Sequence, residues 1–392
     1  MPNTPSHPPI FNLGFRPFFS GACVFAVVSI GYWLSVYLFA APLKVTGITA
    51  FQWHAHEMIY GYSLAVIAGF LLTAVKNWTG LQTPQGLPLA ALFLLWVLAR
   101  LTWLFGTSLI ELAAWFDLTF VITLIVAISR PIIATRKWRQ LAIISKLILL
   151  GIGNSIFYLG ALGYIDSGVH LALYGGLYLV IGLILTIGRR IIPFFIERGV
   201  EGQVKLFNSP WLDGSSLIFF LTFFIAELFL QNDSLAELAA AMLALITAVR
   251  IVGWYTSGIL QTPLLWSLFI ALGFIDFGFI LIAVRDWFSL SPFLATHAFG
   301  VGGVGVITMG MMARVSIGHT GRSLKTLPAV LPYCLGLLLV GTLIRVLLPL
   351  FFESFYTLWV ALAGCCWLLG FGLFCTAYLP ILSQERPDKK YG

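Results

Sequence analysis

The sequence predicts an all-α polytopic membrane protein with about twelve spanning helices. Three observations predict it. Hydrophobic residues make up 60% of the 392 residues, apolar runs recur along the whole chain, and the basic residues fall between those runs on alternate sides. A helix needs about 20 apolar residues to cross a hydrocarbon layer ~30 Å thick. Mean hydropathy is +0.98, far more apolar length than a soluble core uses. The formal charge of +7 is not gathered on any soluble face, so nucleic acid is excluded as a partner and the lipid bilayer is expected.

In chain order the runs fall at 18–42, 56–75, 87–106, 110–129, 140–163, 169–188, 211–230, 236–256, 263–284, 293–313, 327–350 and 355–383. The stretch ahead of them carries Pro2, Pro5, Pro8 and Pro9, and Arg16 as its basic residue. That is no secretory n-region, so the first helix is expected to be retained. One set of connections holds Lys76; Arg130, Arg136, Lys137 and Arg139; Arg189, Arg190, Arg198 and Lys205; and Arg314, Arg322 and Lys325. The other set keeps little besides Lys44 and Arg285. This bias puts both termini in the cytoplasm. The expected organisation is a cytoplasmic tail over 1–17, one transmembrane domain over 18–383 and a cytoplasmic tail over 384–392. The five cysteines show neither CxxC nor CxxCH spacing, so they read as small packing residues and covalent haem is excluded.

Histidine is scarce, with six in the chain, and its placement carries the functional signal. With the termini inside, His54 and His56 stand at the outer entry to the second span, His170 at that of the sixth and His297 at that of the tenth. His319 lies at the inner end of the tenth. The second span reads His56-x3-Tyr60-Gly61, the sixth reads His170-x3-Tyr174-Gly175, and the tenth keeps His297-Ala-Phe-Gly300. A degenerate three-fold repeat of four helices is therefore expected.

An imidazole in a spanning helix is costly to place and must find a partner. In the first turn of a helix the dipole favours the neutral ring, the form that binds metal. His54, His56, His170, His297 and His319 are thus candidate ligands for haem iron or copper, with Glu57, Tyr60 and Tyr174 supporting them. On one helix His54 and His56 point about 200° apart, so one metal takes only one of them. His56 and His297 make the best axial pair. For each histidine the plainer alternative is an interhelical hydrogen bond. Gly300, Gly302, Gly303, Gly305 and Gly310 would admit either a flat cofactor or another helix. Arg16, Arg189, Arg190, Arg314 and Arg322 are candidates for haem propionates or other anions, or else topology anchors. Asp117, Glu227 and Asp276 fall within spans, where pairing with Arg100, Arg250 or Arg345 competes with a proton relay.

At these residues the chain resembles the NnrS family. The shared motifs are Gly14-Phe15-Arg16-Pro17-Phe18-Phe19, Trp53-His54-Ala55-His56-Glu57-Met58, Gly69-Phe70-Leu71-Leu72-Thr73-Ala74-Val75 and Asn77-Trp78-Thr79-Gly80, then Arg190-Ile191-Ile192-Pro193-Phe194-Phe195, Met311-Met312-Ala313-Arg314 and Gly318-His319-Thr320-Gly321-Arg322. The resemblance implies a bacterial inner-membrane protein of nitrosative stress resistance. It implies non-covalent, b-type haem and copper as cofactors at the histidines already named, and nitric oxide as the small gaseous ligand, with no electron donor defined. The layout is also similar to the catalytic subunit of haem-copper oxidases and nitric oxide reductases, which would imply redox activity on nitric oxide. The seventh span holds no histidine, however, where that family uses imidazoles for copper. No residue is marked as catalytic. A secondary transporter with a midplane substrate site, and a non-catalytic metal-binding membrane subunit, remain the alternatives.

Overall fold

With no water in the hydrocarbon to satisfy backbone groups, an apolar run has to bond its own N–H and C=O groups, and the helix is the structure that does so within one segment. The computed structural model describes residues 7–392, so residues 1–6 of the expected N-terminal tail lie outside the described residues. Every one of the twelve apolar runs is a helix, and eleven are long and apolar enough to cross a membrane. In order they are α1 Phe15–Phe39, α2 Ala50–Thr79, α3 Leu87–Thr102, α4 Ile110–Ala134, α5 Trp138–Ala161, α6 Gly168–Gly199, α7 Pro210–Leu230, α8 Asp233–Trp254, α9 Pro263–Ala283, α10 Pro292–His319, α11 Leu331–Phe351 and α12 Glu353–Ser383. The protein is an all-α polytopic membrane protein.

The exception in length is α3, whose α-helical part has 16 residues. After Thr102 the chain tightens into 3-10 turns, and Gly106, at φ 72° and ψ −161°, leaves helical geometry altogether. A side chain there would be strained and would run into the carbonyl of Lys44. The expected run to residue 106 is therefore four residues too long.

Local chemistry fixes the start of α2. Thr49 Oγ1 accepts from the Gln52 N–H at 3.2 Å, and Gln52 Oε1 accepts from the Thr49 N–H at 2.7 Å, a reciprocal capping box. Immediately after His56 the helix widens into π-helical turns over Glu57–Ser63. The same widening follows immediately on His297, over Ala298–Gly305, and a third stretch covers Ala226–Leu230. Such turns add a residue to the ring of each hydrogen bond and shift the helix face presented to its neighbours.

The chain forms two compact units. One comprises the chain up to Leu179 with Met312–Leu331 and Phe371–Gly392; the other comprises Val180–Met311 and Pro332–Gly370. This interleaved division follows no four-helix boundary, so it lends the expected three-fold repeat no support. The π-helical turns beside His56 and His297 are the structural parallel between the second and tenth helices.

Within the first unit the core is built by close approach of small to aromatic residues. Phe15, Phe18 and Phe19 of α1 are fully buried, and a Cβ on Gly69 of α2 would lie 2.8 Å from the Phe19 ring. At the end of this unit opposite His56, Arg16 ties the first helix to the last segment. Its guanidinium is wholly buried and donates to the carbonyl oxygens of Leu382 at 2.7 Å, Gln384 at 2.8 Å and Gly392 at 2.7 Å. Tyr391 donates to the Asn12 carbonyl at 2.7 Å, and Lys76 sits 5.3 Å over the Tyr391 ring.

The packing sets a paired expectation. Gly69→Ala should cost about 1–3 kcal/mol by overpacking against Phe19, whereas Gly214→Ala, with nothing within 4 Å, should be neutral or slightly stabilising. Thermal unfolding of the two variants in detergent checks this, and equal melting temperatures would contradict the packing account.

Candidate functional site: a buried polar cluster around His56

The capping box delivers Trp53 to Glu57 to the first unit with the two imidazoles pointing apart, as the helical period requires. His54 turns to α1 and stacks on Trp33, with ring centres 4.8 Å apart and planes 14° from parallel. His56 turns inward and is fully buried. Its ring stacks on Phe157 of α5 at 4.0 Å, beside Trp103 and Tyr158.

Both ring nitrogens of His56 face oxygen. Nδ1 lies 2.9 Å from Glu57 Oε1, and Nε2 lies 2.9 Å from Asn154 Oδ1 and 4.0 Å from Asp117 Oδ2. Arg100 of α3 bridges the two carboxylates, donating from Nη1 to Glu57 Oε1 at 2.8 Å and from Nη2 to Asp117 Oδ2. Tyr158 adds a donor to Asp117 Oδ2 at 2.6 Å. Four helices thus contribute to one cluster: α2 His56 and Glu57, α3 Arg100, α4 Asp117, and α5 Asn154 and Tyr158. Glu57 is 1% exposed and Asp117 0%, so none of these charges has water to fall back on. Glu57 Oε2, Asp117 Oδ1, Arg100 Nε, Asn154 Nδ2 and Trp103 Nε1 are buried without a hydrogen-bond partner in the protein. These are two acceptors and three donors in one cluster, a set that bridging water would satisfy.

Glycine makes the approach possible. A Cβ on Gly61 would stand 2.7 Å from Arg100 Nη1, so any larger residue would push the guanidinium off Glu57. Tyr60, expected to support a ligand, binds helices together instead. Its hydroxyl donates to the Ala172 carbonyl of α6 at 2.7 Å, and it fills the space that Cβ atoms on Gly153 and Gly176 would occupy.

The other sequence-derived candidates each have surroundings of their own. His170 is exposed, its ring centre 4.6 Å from that of Tyr174. His297 belongs to the second unit, half-buried, with Nδ1 donating to the Phe293 carbonyl at 2.7 Å. His319 packs against Phe15 at 5.8 Å, and its carbonyl accepts from Arg386 at 3.1 Å. Among the described residues no group of three or more His, Cys, Asp or Glu side chains is placed to hold a metal ion. The expected His-ligated metal site therefore gains no cluster of three or more such donors. The helical period is the reason: it sends neighbouring imidazoles to different partners.

The arginines are also largely committed within the chain. Arg16 holds the C-terminal tail, and Arg189 pairs with Asp213 at 2.5 Å, a carboxylate it shares with Arg250 at 2.9 Å. Arg190 is exposed and Arg314 half-buried, while Arg322 keeps one buried nitrogen, Nη1, without a partner. Of the three carboxylates expected within spans, Asp117 pairs with Arg100, as one alternative had it. Glu227 pairs with Arg285 at 2.8 Å, and Asp276 is buried with Oδ1 unpartnered. In the tail, the hydrogen bond from Arg386 holds the Asp388 carboxyl well below the usual carboxylate range.

Asn154 and Tyr158 were not singled out by the sequence. Asn154 is nevertheless the one asparagine inside a predicted span, and an amide in hydrocarbon needs partners as a charge does, which is the signal that could have found it.

Comparison with known proteins adds one match. The model of a family described as NnrS protein matches residues 9–386. A search of curated proteins returned no match.

If the cluster is held together by its charges, removing the shared cation should cost far more than removing a neutral donor. Arg100→Met should lose about 3–5 kcal/mol, since two buried carboxylates lose the cation they share. Tyr158→Phe should lose about 1–2 kcal/mol. Equal, small losses in detergent unfolding would mean that the cluster does not bear on stability.

Proposed function

The chain belongs to the NnrS family, and on that premise we propose a multi-pass inner-membrane protein of the nitric oxide response that holds haem non-covalently, with His297 as the iron ligand. The observation that carries the reading is the tautomer of His297. Its Nδ1–H is given to the Phe293 carbonyl at 2.7 Å, which puts the ring's lone pair on Nε2, the arrangement a metal-binding imidazole needs. Gly300, three residues on, would meet nothing within 4 Å of a Cβ, so the backbone there is open to a flat group. Four other glycines of α10 serve helix packing. Gly302 faces Phe274 and Thr342, Gly303 faces Ile275, Gly305 faces Trp367 and Gly310 faces Ser267.

His56 fits the role of ligand poorly, because binding iron through either nitrogen would cost a hydrogen bond to Glu57 or Asn154 inside a buried cluster. Copper gains no comparable support, since the described residues offer no group of three donors. When bound, haem iron supplies a coordination position for nitric oxide. The protein's own residues would do the rest: the Phe293 carbonyl fixes the angle of the His297 ring, and the π-helical turns over Ala298–Gly305 set the face that α10 presents beside it. Both termini are assigned to the cytoplasm on the basic-residue bias. Their meeting at one end of the first unit, through Arg16 and Gly392, agrees with an even number of spans.

The rival is a secondary transporter. It draws on the π-helical interruptions of α2, α7 and α10, since interrupted helices line many transport sites.

The test is an absorption spectrum of purified, haem-supplemented protein, oxidised and reduced, before and after nitric oxide. The expected result is a Soret band that shifts on reduction and again with the gas, and that is lost in His297→Ala but kept in His54→Ala. A band unchanged in His297→Ala removes the ligand assignment. A colourless wild-type protein removes haem altogether and favours transport.

A further inference from the structure

We propose that the buried cluster around His56 is a proton-binding site, holding one proton on His56 as an imidazolium that balances Glu57 and Asp117 against Arg100. The charges can be counted from the contacts. Glu57 and Asp117 bring two negative charges and Arg100 one positive, and all three side chains are within a few per cent of complete burial. Without a further proton the cluster carries one uncompensated negative charge inside a membrane helix bundle, an arrangement that hydrocarbon penalises heavily.

The geometry points to His56 as the carrier. Both of its nitrogens have an oxygen at 2.9 Å, Glu57 Oε1 on one side and Asn154 Oδ1 on the other, and only an imidazolium donates to both. Turning the Asn154 amide over would offer Nδ2 to a neutral ring, but it would leave the negative charge unbalanced. The remaining groups around the ring supply no second cation. Tyr60 of α2 donates to the Ala172 carbonyl of α6, α3 contributes Arg100 and runs on to Trp103, and α5 contributes Phe157 and Tyr158. Phe25 of α1 approaches the cluster at Gly61.

The bound species is a proton taken from water and returned to water, with no change of oxidation state in the protein. It has acceptors on both sides. From Nδ1 it can pass to Glu57, and from Nε2 it can pass across 4.0 Å to Asp117, whose Oδ2 already accepts from Tyr158. The unpartnered Glu57 Oε2, Asp117 Oδ1 and Asn154 Nδ2 are where bridging water would continue that route. The site lies wholly in the first unit, so it stands whether or not His297 binds iron.

The charge count makes a test possible on the full-length protein in lipid vesicles. With ¹⁵N-histidine and ¹³C-phenylalanine labelling, the His56 ring is identified as the one whose phenylalanine contact is lost in Phe157→Leu, and solid-state NMR reads whether each nitrogen bears a proton. At neutral pH both His56 nitrogens should be protonated in the wild type. In Asp117→Asn, where Glu57 and Arg100 already balance, one nitrogen should shift to the unprotonated position. A wild-type ring with one unprotonated nitrogen overturns the proposal. Charge rescue gives an independent reading. His56→Gln should lower the melting temperature, and the double variant His56→Gln with Asp117→Asn, electrically neutral again, should regain at least half of the loss. A double variant that melts below His56→Gln also overturns the proposal. If His56→Gln fails to assemble, the labelled wild-type ring still decides.

Discussion

A guanidinium inside hydrocarbon cannot be left alone, and Arg100 is the constraint from which the arrangement of the first unit follows. A central Arg, Lys or Asp costs about 2.5–3.5 kcal/mol on insertion scales, so each such residue has to be matched within the bundle. Arg100 does this by gripping Glu57 and Asp117 at once. The grip fixes the rotation of α2, α3 and α4 about their own axes, because each helix has one charged residue that must face the same point. Tyr158 and Asn154 then set the rotation of α5. Apolar packing between helices would tolerate several rotations; a shared ion pair tolerates one.

The histidines divide into two chemical kinds on this basis. His56 has both nitrogens engaged by oxygen and belongs to the charge balance of the cluster. His297 gives its Nδ1–H to a backbone carbonyl, so the lone pair of its neutral ring lies on Nε2. Similar sequence surroundings, each with π-helical turns directly after the histidine, thus lead to different hydrogen-bond settings. The difference lies in the neighbours. A carboxylate follows His56 and alanine follows His297.

Helix count and order were legible because a bilayer imposes a length that any apolar run must meet, and the twelve runs map one to one onto α1–α12. The early end of α3 was not legible, since it rests on the backbone angle of Gly106 and the nearby Lys44 carbonyl, which is distant in sequence. At the site, the divergence of His54 and His56 was readable from helical period alone, and the Asp117–Arg100 pair was one of few pairings open to those charges. That these residues, Glu57 and His56 form a single cluster was not readable. Asn154 and Tyr158 join it through side chains on α5, about a hundred residues away, and short motifs carry no record of which helices become neighbours. The histidine repeat carries no such record either: equal depth in the membrane does not by itself make residues neighbours.

Arg16 has a consequence for assembly. It enters the membrane at the first turn of the first helix, yet the carbonyl oxygens that receive its guanidinium belong to residues 382, 384 and 392. Until that segment docks the charge has no native partner, and lipid phosphate at the membrane surface is the natural substitute. Docking of residues 382–392 therefore displaces lipid from the first helix. The unit closes by exchanging a borrowed anion for fixed carbonyl dipoles, which makes the docking of this distant segment a step in folding.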